Sequence, residues 1–215
     1  MNTKVKKMMM IALLSGIAFI CCATIKIPVV LFLSYEPKDV IITLGGFLLG
    51  PLNAFFISVI VSFIEMITIS STGPIGFLMN VFATCSFACV ASYIYSKNRT
   101  LKGAIIGLII AVFTMTAVMI AWNYLITPIY MKIDREIVKG YLIPAFLPFN
   151  LLKGGMNAAI TLIIYKPLVI PLFARFHLID AATAKKGKVN IGVILGALFV
   201  LVTCIFFVLV LKGVI

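Results

Sequence analysis

One apolar segment late in the chain carries polar side chains at the spacing of a single helix face. They occur at positions i, i+3, i+7 and i+11, and they are Asn150, Lys153, Asn157 and Thr161. A helix places residues at these intervals on one side. An Asn amide both donates and accepts hydrogen bonds, and a Lys ammonium donates them. The stripe therefore has the chemistry to bind a ligand that offers carbonyl and N–H groups.

Three other apolar segments carry polar residues with helical spacing. These residues are Ser58, Ser62 and Glu65, then Asn80 and Thr84, and finally Thr116, Asn123 and Thr127. A charged group in a hydrocarbon layer costs at least ~2.5–3.5 kcal/mol, so it usually faces a cavity or a partner. We expect a cavity that opens to the outside, below a loop that carries Glu36 and Asp39. The residues expected to converge on it are Glu65, Asn80, Asn123, Asn150 and Lys153.

These polar residues also have purely structural interpretations. Asn80 and Asn157 could bond to neighbouring helices, as amides in membrane helices often do. Lys153 could simply pair with Glu65. Glu36 and Asp39 could cap the second helix, because an acid stabilises the positive end of a helix dipole. The sequence alone leaves these alternatives open.

Aromatic residues surround the polar positions, at Tyr35, Trp122, Tyr124, Tyr130, Phe146 and Phe149. Trp and Tyr often form belts at the two membrane surfaces, which is one interpretation of Trp122 and Tyr130. Phe149 differs, because it adjoins Asn150 and gains nothing at an interface. A small-molecule site is usually an apolar, aromatic-walled pocket with a few polar groups. We therefore include Tyr124 and Phe149 among the candidate binding residues.

The composition defines the elements that must position these residues. Of the 215 residues, 63% are hydrophobic and 11% are charged, which is more apolar than one soluble core could bury. A helical crossing needs about 20 apolar residues, so about six or seven crossings fit and no sizeable soluble domain remains. No G-x-x-x-x-G-K-[ST] phosphate loop occurs. The sequence predicts an all-α integral membrane protein and excludes a self-contained kinase, nucleotidase or transcription factor.

Seven apolar segments are predicted to form helices. The expected ranges are 8–25, 40–49, 52–69, 75–95, 103–126, 146–173 and 189–211. The mixed and charged segment 127–145 suits a short interfacial helix or lid. We expect residues 1–173 to form a six-helix membrane core. A basic linker, 174–188, then leads to a seventh membrane helix within 189–215.

The basic residues predict the orientation. The formal net charge is +12, and in a membrane protein Lys and Arg collect in cytoplasmic segments, so this charge does not indicate nucleic acid. The clusters are Lys4, Lys6 and Lys7; Lys97, Arg99 and Lys102; and Lys166, Arg175, Lys185, Lys186 and Lys188. They predict a cytoplasmic N-terminus in a multi-pass cell-membrane protein. Loops 35–39, 70–74 and 127–145 then lie outside.

The first helix has a face of small residues, with Ala12 and Gly16 four positions apart. Such a small-x-x-x-small face lets another helix approach closely. It could serve an interface with a partner protein, or it could pack within the chain.

An intramembrane enzyme is the alternative from another functional class. Such chemistry needs a nucleophile with a base, or a metal cluster. The single histidine, His177, lies in the basic linker beside Arg175, and the five cysteines form no C-x-x-C pair. We therefore expect no catalysis, no metal site and no resident cofactor.

With these residues in view, the chain resembles the substrate-binding S-components of energy-coupling factor (ECF) vitamin transporters, most closely the riboflavin-specific members. The resemblance covers residues 4 to 172 approximately. Besides the basic start and small face of the first helix, it rests on the loop at 35–39 followed by Gly45-Gly46-Phe47 and Gly50-Pro51, on Asn123-Tyr124 with Pro128 and Tyr130, and on the run 147–154. The most specific piece is the Pro-Phe-Asn-x-x-Lys-Gly sequence inside that run.

This resemblance implies a six-helix membrane protein that binds a vitamin from outside. Its implied partners are a transmembrane T-component and two cytoplasmic ATPases, with Ala12 and Gly16 packing on the T-component. In riboflavin members the polar edge of the flavin ring is held by residues that match Asn123, Asn150 and Lys153. The acidic first loop, with Glu36 and Asp39, lies by the ribityl chain and closes over the ligand.

The resemblance does not cover the seventh helix, whose role stays open. An S-component for another vitamin, such as pantothenate, is the alternative within the family, because Lys153 could neutralise a carboxylate. A flat heteroaromatic ligand fits the Asn-rich stripe better than an aliphatic acid does. A carrier that works without partner subunits is the third interpretation.

Overall fold

A computed structural model describes residues 3–31, 33–165, 171 and 191–211 of the chain. The elements in chain order are α1 (Thr3–Thr24), β1 (Ile27–Val30), β2 (Leu33–Tyr35), α2 (Lys38–Leu49), α3 (Pro51–Thr68), α4 (Gly73–Lys97), α5 (Leu101–Met131), α6 (Arg135–Tyr141), a π-helical turn (Leu142–Phe146), α7 (Leu147–Ile164) and α8 (Ile191–Leu211). The predicted linker 174–188 and the predicted end of the sixth helix at residue 173 lie outside the described residues.

Six helices of the described part are long and apolar enough to cross a membrane. They are Lys4–Thr24, Pro51–Thr68, Gly73–Lys97, Leu101–Met131, the combined segment Arg135–Ile164, and Ile191–Val210. The sixth of them is the C-terminal helix, and α2, with 12 residues, is the shorter helix that completes the core of six. The prediction of an all-α membrane protein with a seventh helix after its core is confirmed.

Helix α2 is short but buried almost throughout, including its first two residues, Lys38 and Asp39. A helix that is apolar on all sides is one that the rest of the protein surrounds. It packs against α1, α3, α4 and α7. Gly50, with a φ of 94°, ends it, and Pro51 opens α3 immediately. The predicted start at Val40 is two residues late, because the polar sequence before it was assigned to a loop.

A two-stranded antiparallel hairpin follows α1, and the sequence analysis missed it. The register pairs Ile27 with Tyr35 and Pro28 with Ser34. Pro28 lacks an N–H and cannot continue α1, while the β-branched residues Val29 and Val30 favour an extended backbone. This hairpin carries the chain back across one end of the bundle to α2.

The segment predicted as the loop 127–145 is mostly helical. Helix α5 continues to Met131 despite Pro128, and α6 supplies the short helix that the charge pattern indicated. The π-helical turn then joins α6 directly to α7. Residues that the sequence analysis assigned to one outer loop therefore extend two helices toward the site.

Helices α4 and α5 pack along most of their length and form the centre of the bundle. At their crossing, a Cβ added to Gly107 would lie 2.9 Å from the carbonyl oxygen of Ala91, so only glycine permits this approach. Helix α7 packs on α5, and α8 packs on the other side of α7. Most of α8 is exposed and apolar, as expected of a helix that faces lipid.

Candidate functional site

A cavity of about 310 Å³ lies at the end of the bundle that carries the hairpin. Its wall is formed by residues from the hairpin, α3, α4, α5, α7 and the α3–α4 connection: Lys26, Leu33, Ser34, Glu36, Glu65, Ser70, Ser71, Thr72, Met79, Asn80, Ala83, Met119, Tyr130, Phe149, Asn150 and Lys153. The volume is at the lower end of the range for small-molecule sites, and the wall combines apolar side chains with a few polar groups.

Most of the residues predicted to bind a ligand meet at this cavity. Of the five that were expected to converge, Glu65, Asn80, Asn150 and Lys153 line it, and Glu36 and Phe149 join them. They come from the three helices α3, α4 and α7 and from the connection before α2, so only the folded bundle brings them together. Their role in binding stays a prediction.

Asn123 and Tyr124 lie near the cavity without lining it. Asn123 is fully buried; its Nδ2 donates to the Met119 carbonyl oxygen at 2.8 Å, and its Oδ1 accepts from Thr127 Oγ1 at 2.9 Å. Met119 and Tyr130, four and seven positions away on the same face of α5, do line the cavity. The Tyr124 ring lies 5.4 Å from the Arg135 guanidinium.

Lys153 is paired with Asp39 rather than with Glu65. Its Nζ lies 3.3 Å from Asp39 Oδ2, and Asp39 is 0% exposed. The same carboxylate accepts hydrogen bonds from Thr84 Oγ1 at 2.6 Å and from Asn157 Nδ2 at 3.2 Å. Asp39 thus lies behind the cavity wall in the first turn of α2, where it holds the ammonium of Lys153. It also lies at the positive end of the helix dipole, although α2 has no side-chain cap.

Lys38 is a buried charge that the sequence analysis did not single out. Its Nζ lies 2.8 Å from Glu36 Oε2, donates to Glu65 Oε2, and approaches Cys22 Sγ at 3.9 Å. Its side chain is 0% exposed. Cys22, Glu36 and Glu65 offer acceptor atoms within 4.8 Å of one another, and the lysine ammonium contacts all three as the chain's own cation.

The sequence contains a signal for this ion cluster. Lys38 lies two positions before Val40-Ile41-Ile42. A helix that is apolar on all sides must be buried from its first turn, and Lys38 belongs to that turn. Glu65, with its own buried position in α3, needed a cationic partner. Because residues 34–39 were predicted to form a solvated loop, neither the burial of Lys38 nor its pairing with Glu65 was predicted.

The charges around the cavity balance. The six groups are Lys26, Lys38 and Lys153 on one side, and Glu36, Asp39 and Glu65 on the other. Glu36 is held on two sides, because Lys26 Nζ lies 3.3 Å from its second oxygen, Oε1. Burial alone would raise the pKa of Glu36, but the ammonium groups of Lys38, Lys153 and Lys26 lower it to about 2. A ligand therefore meets a wall whose charges already have partners.

The small face of α1 is exposed, as an interface with a partner requires. Ala12 and Gly16 lie in an apolar groove of about 760 Å³ whose wall also includes Met9, Leu13 and Ile17. A Cβ added to Gly16 would meet nothing within 4 Å in the part of the chain that the structure describes. The described residues therefore do not supply the internal packing that was the alternative interpretation. The partner interface itself stays a prediction.

Comparison with known proteins gives consistent matches. Residues 6–165 match the family described as "ECF transporter, substrate-specific component". The chain is 30% identical over 172 residues to the riboflavin transporter RibU of Staphylococcus aureus (strain TCH60), an alignment that covers 76% of this chain and 90% of that protein. It is 27% identical over 163 residues to the riboflavin transporter FmnP of Bacillus subtilis (strain 168), covering 70% and 85% respectively.

A solved structure agrees with these matches. It is described as the S component of a bacterial ECF transporter, and it superposes with a TM-score of 0.67 at 30% identity. The superposition covers 79% of this chain and 99% of the other. The family match ends at residue 165, so α8 lies beyond it. The family match thus extends over helices α1 to α7, and this multi-pass membrane chain belongs to the family of substrate-specific components of ECF transporters.

Proposed function

We propose that this chain captures riboflavin from outside a prokaryotic cell and delivers it to an ATP-driven transport module. The names of its relatives support riboflavin as the ligand. The cavity supports it as well, because Phe149 lines it together with Asn150 and Lys153. The observation that carries the proposal over another vitamin is the ion pair between Lys153 and Asp39.

This ion pair favours a neutral ligand over an acid. Because Lys153 Nζ lies 3.3 Å from Asp39 Oδ2, its charge is balanced before any ligand arrives. A carboxylate such as that of pantothenate would compete with Asp39 and leave a buried aspartate without its cation, which is costly. A ring carbonyl needs only one N–H of the ammonium, which has three. The pair can persist while a neutral ring binds.

The amide of Asn150 complements the ammonium. Its Nδ2 donates to the Phe146 carbonyl oxygen at 2.7 Å, and its Oδ1 has no hydrogen-bond partner among the described residues. The pyrimidine edge of a flavin offers an N–H between two carbonyls. Asn150 Oδ1 can accept from that N–H while Lys153 donates to a carbonyl. Asn123 joins them only if one of its bonds to Met119 or Thr127 is exchanged for the ligand.

The same proposal includes the partners and the orientation. A T-component occupies the α1 groove around Ala12 and Gly16, and two cytoplasmic ATPases hydrolyse ATP, so this chain needs no catalytic site of its own. The N-terminus is cytoplasmic. The cavity, at the far end of α1, then faces outside. Riboflavin is the transported ligand and not a resident cofactor.

Flavin fluorescence provides the direct test. Riboflavin titrated against the detergent-solubilised full chain should lose fluorescence in a saturable way, because its ring stacks on Phe149. Excess pantothenate should leave the titration unchanged. Protein purified from cells should also be yellow. Saturable pantothenate binding with no response to riboflavin would make another vitamin the ligand, and riboflavin uptake in cells that lack the partner subunits would favour a stand-alone carrier.

A further inference from the structure

Lys38 is the point at which the hairpin, α1 and α3 are held together. It does not line the cavity, yet the two glutamates that it contacts do. Glu36 follows the hairpin directly, Glu65 belongs to α3, and Cys22 belongs to α1. One fully buried ammonium therefore joins three separate elements at the cavity wall.

The glutamates face the cavity through a second set of contacts. Glu65 Oε1 accepts from Asn80 Nδ2 at 3.0 Å, and Asn80 itself lines the cavity. Glu36 Oε1 lies 3.3 Å from Lys26 Nζ, whose side chain is about half exposed at 47%. Each carboxylate thus contacts Lys38, behind the wall, with one of its oxygens. Its other oxygen contacts a residue of the wall.

We propose that Lys38 is a positioning residue for the ligand cavity: its ammonium fixes Glu36 and Glu65 in the wall and, through Glu36, keeps the hairpin against the helices. As far as ligand affinity is concerned, the inference rests on the riboflavin-binding function proposed above. Its effect on the hairpin does not depend on the identity of the ligand.

The physical reason is the proximity of two carboxylates. Without Lys38, Glu36 and Glu65 would face each other within 4.8 Å, and like charges at that distance repel strongly in a buried site. Glu36 follows a hairpin whose strands contain only four and three residues, whereas Glu65 belongs to the 18-residue helix α3. Repulsion would therefore move Glu36 and the hairpin rather than α3.

The charged and titratable groups around Lys38 define the expected pH response. They are Cys22 from α1, Lys26 beside β1, Glu36 before α2, Asp39 within α2, Glu65 from α3 and, acting on Glu36, Lys153 from α7. Burial would raise the pKa of Glu36, but the ammonium groups of Lys38, Lys153 and Lys26 lower it to about 2, below both pH values of the test. In Lys38→Met the pKa of Glu36 should rise, because the nearest cation is gone and an acid remains.

The test uses the full chain in detergent, with Lys38→Met, Lys38→Met/Glu65→Gln and, as the matched control, Lys102→Met at an exposed position in the first turn of α5. Lys38→Met should weaken riboflavin binding at pH 8 by roughly tenfold or more. Part of the affinity should return at pH 5.5, where one carboxylate takes up a proton. The double variant keeps a single acid balanced by Lys26, so it should recover affinity at pH 8 and lose the pH dependence. Lys102→Met should bind nearly as the native chain does.

Hydrogen–deuterium exchange gives a readout that needs no ligand. Amides 33–36 should exchange at least severalfold faster in Lys38→Met than in the native chain, and at the native rate in the double variant. If the native chain does not bind riboflavin, the proposed function is wrong, and this exchange comparison still decides the role of Lys38. Unchanged exchange in Lys38→Met would overturn the inference. So would an affinity loss that is equal at both pH values and is not recovered in the double variant.

Discussion

At the scale of single residues, recognition in this cavity depends on charges that the protein has already paired. Lys153 is held by Asp39, and Asp39 is held in turn by Thr84 and Asn157. A buried carboxylate with three partners has little freedom to move, so the ammonium that it holds is preorganised for a ligand. Lys153 can then recognise a ligand through the direction of its N–H bonds as well as through its charge.

Substitutions at Asn150 and Lys153 should separate these two contributions. Asn150→Leu removes the free acceptor and adds apolar bulk beside the ligand, so it should weaken riboflavin binding by at least ~2 kcal/mol, about thirtyfold in Kd. Lys153→Gln keeps a donor and should retain part of the affinity. Fluorescence titration measures both. Asn98→Leu, at the exposed end of α4, is the control, and equal affinity of Asn150→Leu and the native chain would exclude Asn150 from the site.

Removing Asp39 should destabilise the protein through Lys153. Asp39→Asn leaves a buried ammonium without its partner, for which the expected cost is about 3–5 kcal/mol of unfolding free energy. Adding Lys153→Met should restore much of the stability but not riboflavin binding. Thermal unfolding in detergent measures the first effect and titration the second. The exposed pair Lys139 and Glu136 gives the control, since Glu136→Gln should leave the unfolding temperature unchanged. A stable Asp39→Asn variant with native affinity would contradict this account.

At the scale of elements, the sequence predicted the long helices and missed what lies between them. The length of the apolar segments identifies α3, α4 and α5, because a helix that crosses a membrane needs about 20 apolar residues in a row. The hairpin has no such signal, because its two strands contain only four and three residues. The sequence also treated 34–39 as a solvated loop, although this segment contains the most deeply buried lysine of the described residues.

The candidate site was predictable to the extent that helical spacing reports a common face. The stripe with Asn150 and Lys153 needed only the period of a helix, and the structure places both at the cavity. The pairing of Lys153 with Asp39 was not predictable, because the two residues are more than a hundred positions apart and either Asp39 or Glu65 could have reached the ammonium. The rotation of α2 about its own axis decides whether Asp39 or Glu65 meets the Lys153 ammonium.

The small face of α1 permits a test at this scale with a closely matched control. Gly16→Trp should prevent association with a T-component and abolish uptake, because a close helix contact tolerates little added volume. Gly196 on α8 is also a glycine beside which an added Cβ would meet no atom of the described residues within 4 Å, and Gly196→Trp should leave uptake intact. Copurification of the partner subunits and uptake of labelled riboflavin measure the outcome. Riboflavin binding to the isolated chain should survive both changes, and full uptake by Gly16→Trp would remove α1 from the interface.

At the scale of the whole molecule, the orientation in the membrane can be read by thiol labelling. Single cysteines introduced into a cysteine-free chain at Ser71 and Glu136, on the cavity end, should react with an impermeant reagent added to intact cells. Cysteines at Lys4 and Arg99, at the opposite end of the bundle, should be protected until the membrane is opened. All four positions are exposed on the protein itself, so protection reports the membrane. Labelling of the Arg99 position in intact cells would reverse the orientation.

The first turn of α2 has a consequence for how that helix is seated. Lys38 and Asp39 are neighbours of opposite sign, and neighbouring residues on a helix point about 100° apart. One reaches the glutamates of the hairpin side and the other reaches α7. If α2 turned by a single residue step, both contacts would be lost together. The two charges thus both find their partners at only one rotation of α2 about its own axis. They fix the rotational setting of a helix whose remaining surface is apolar.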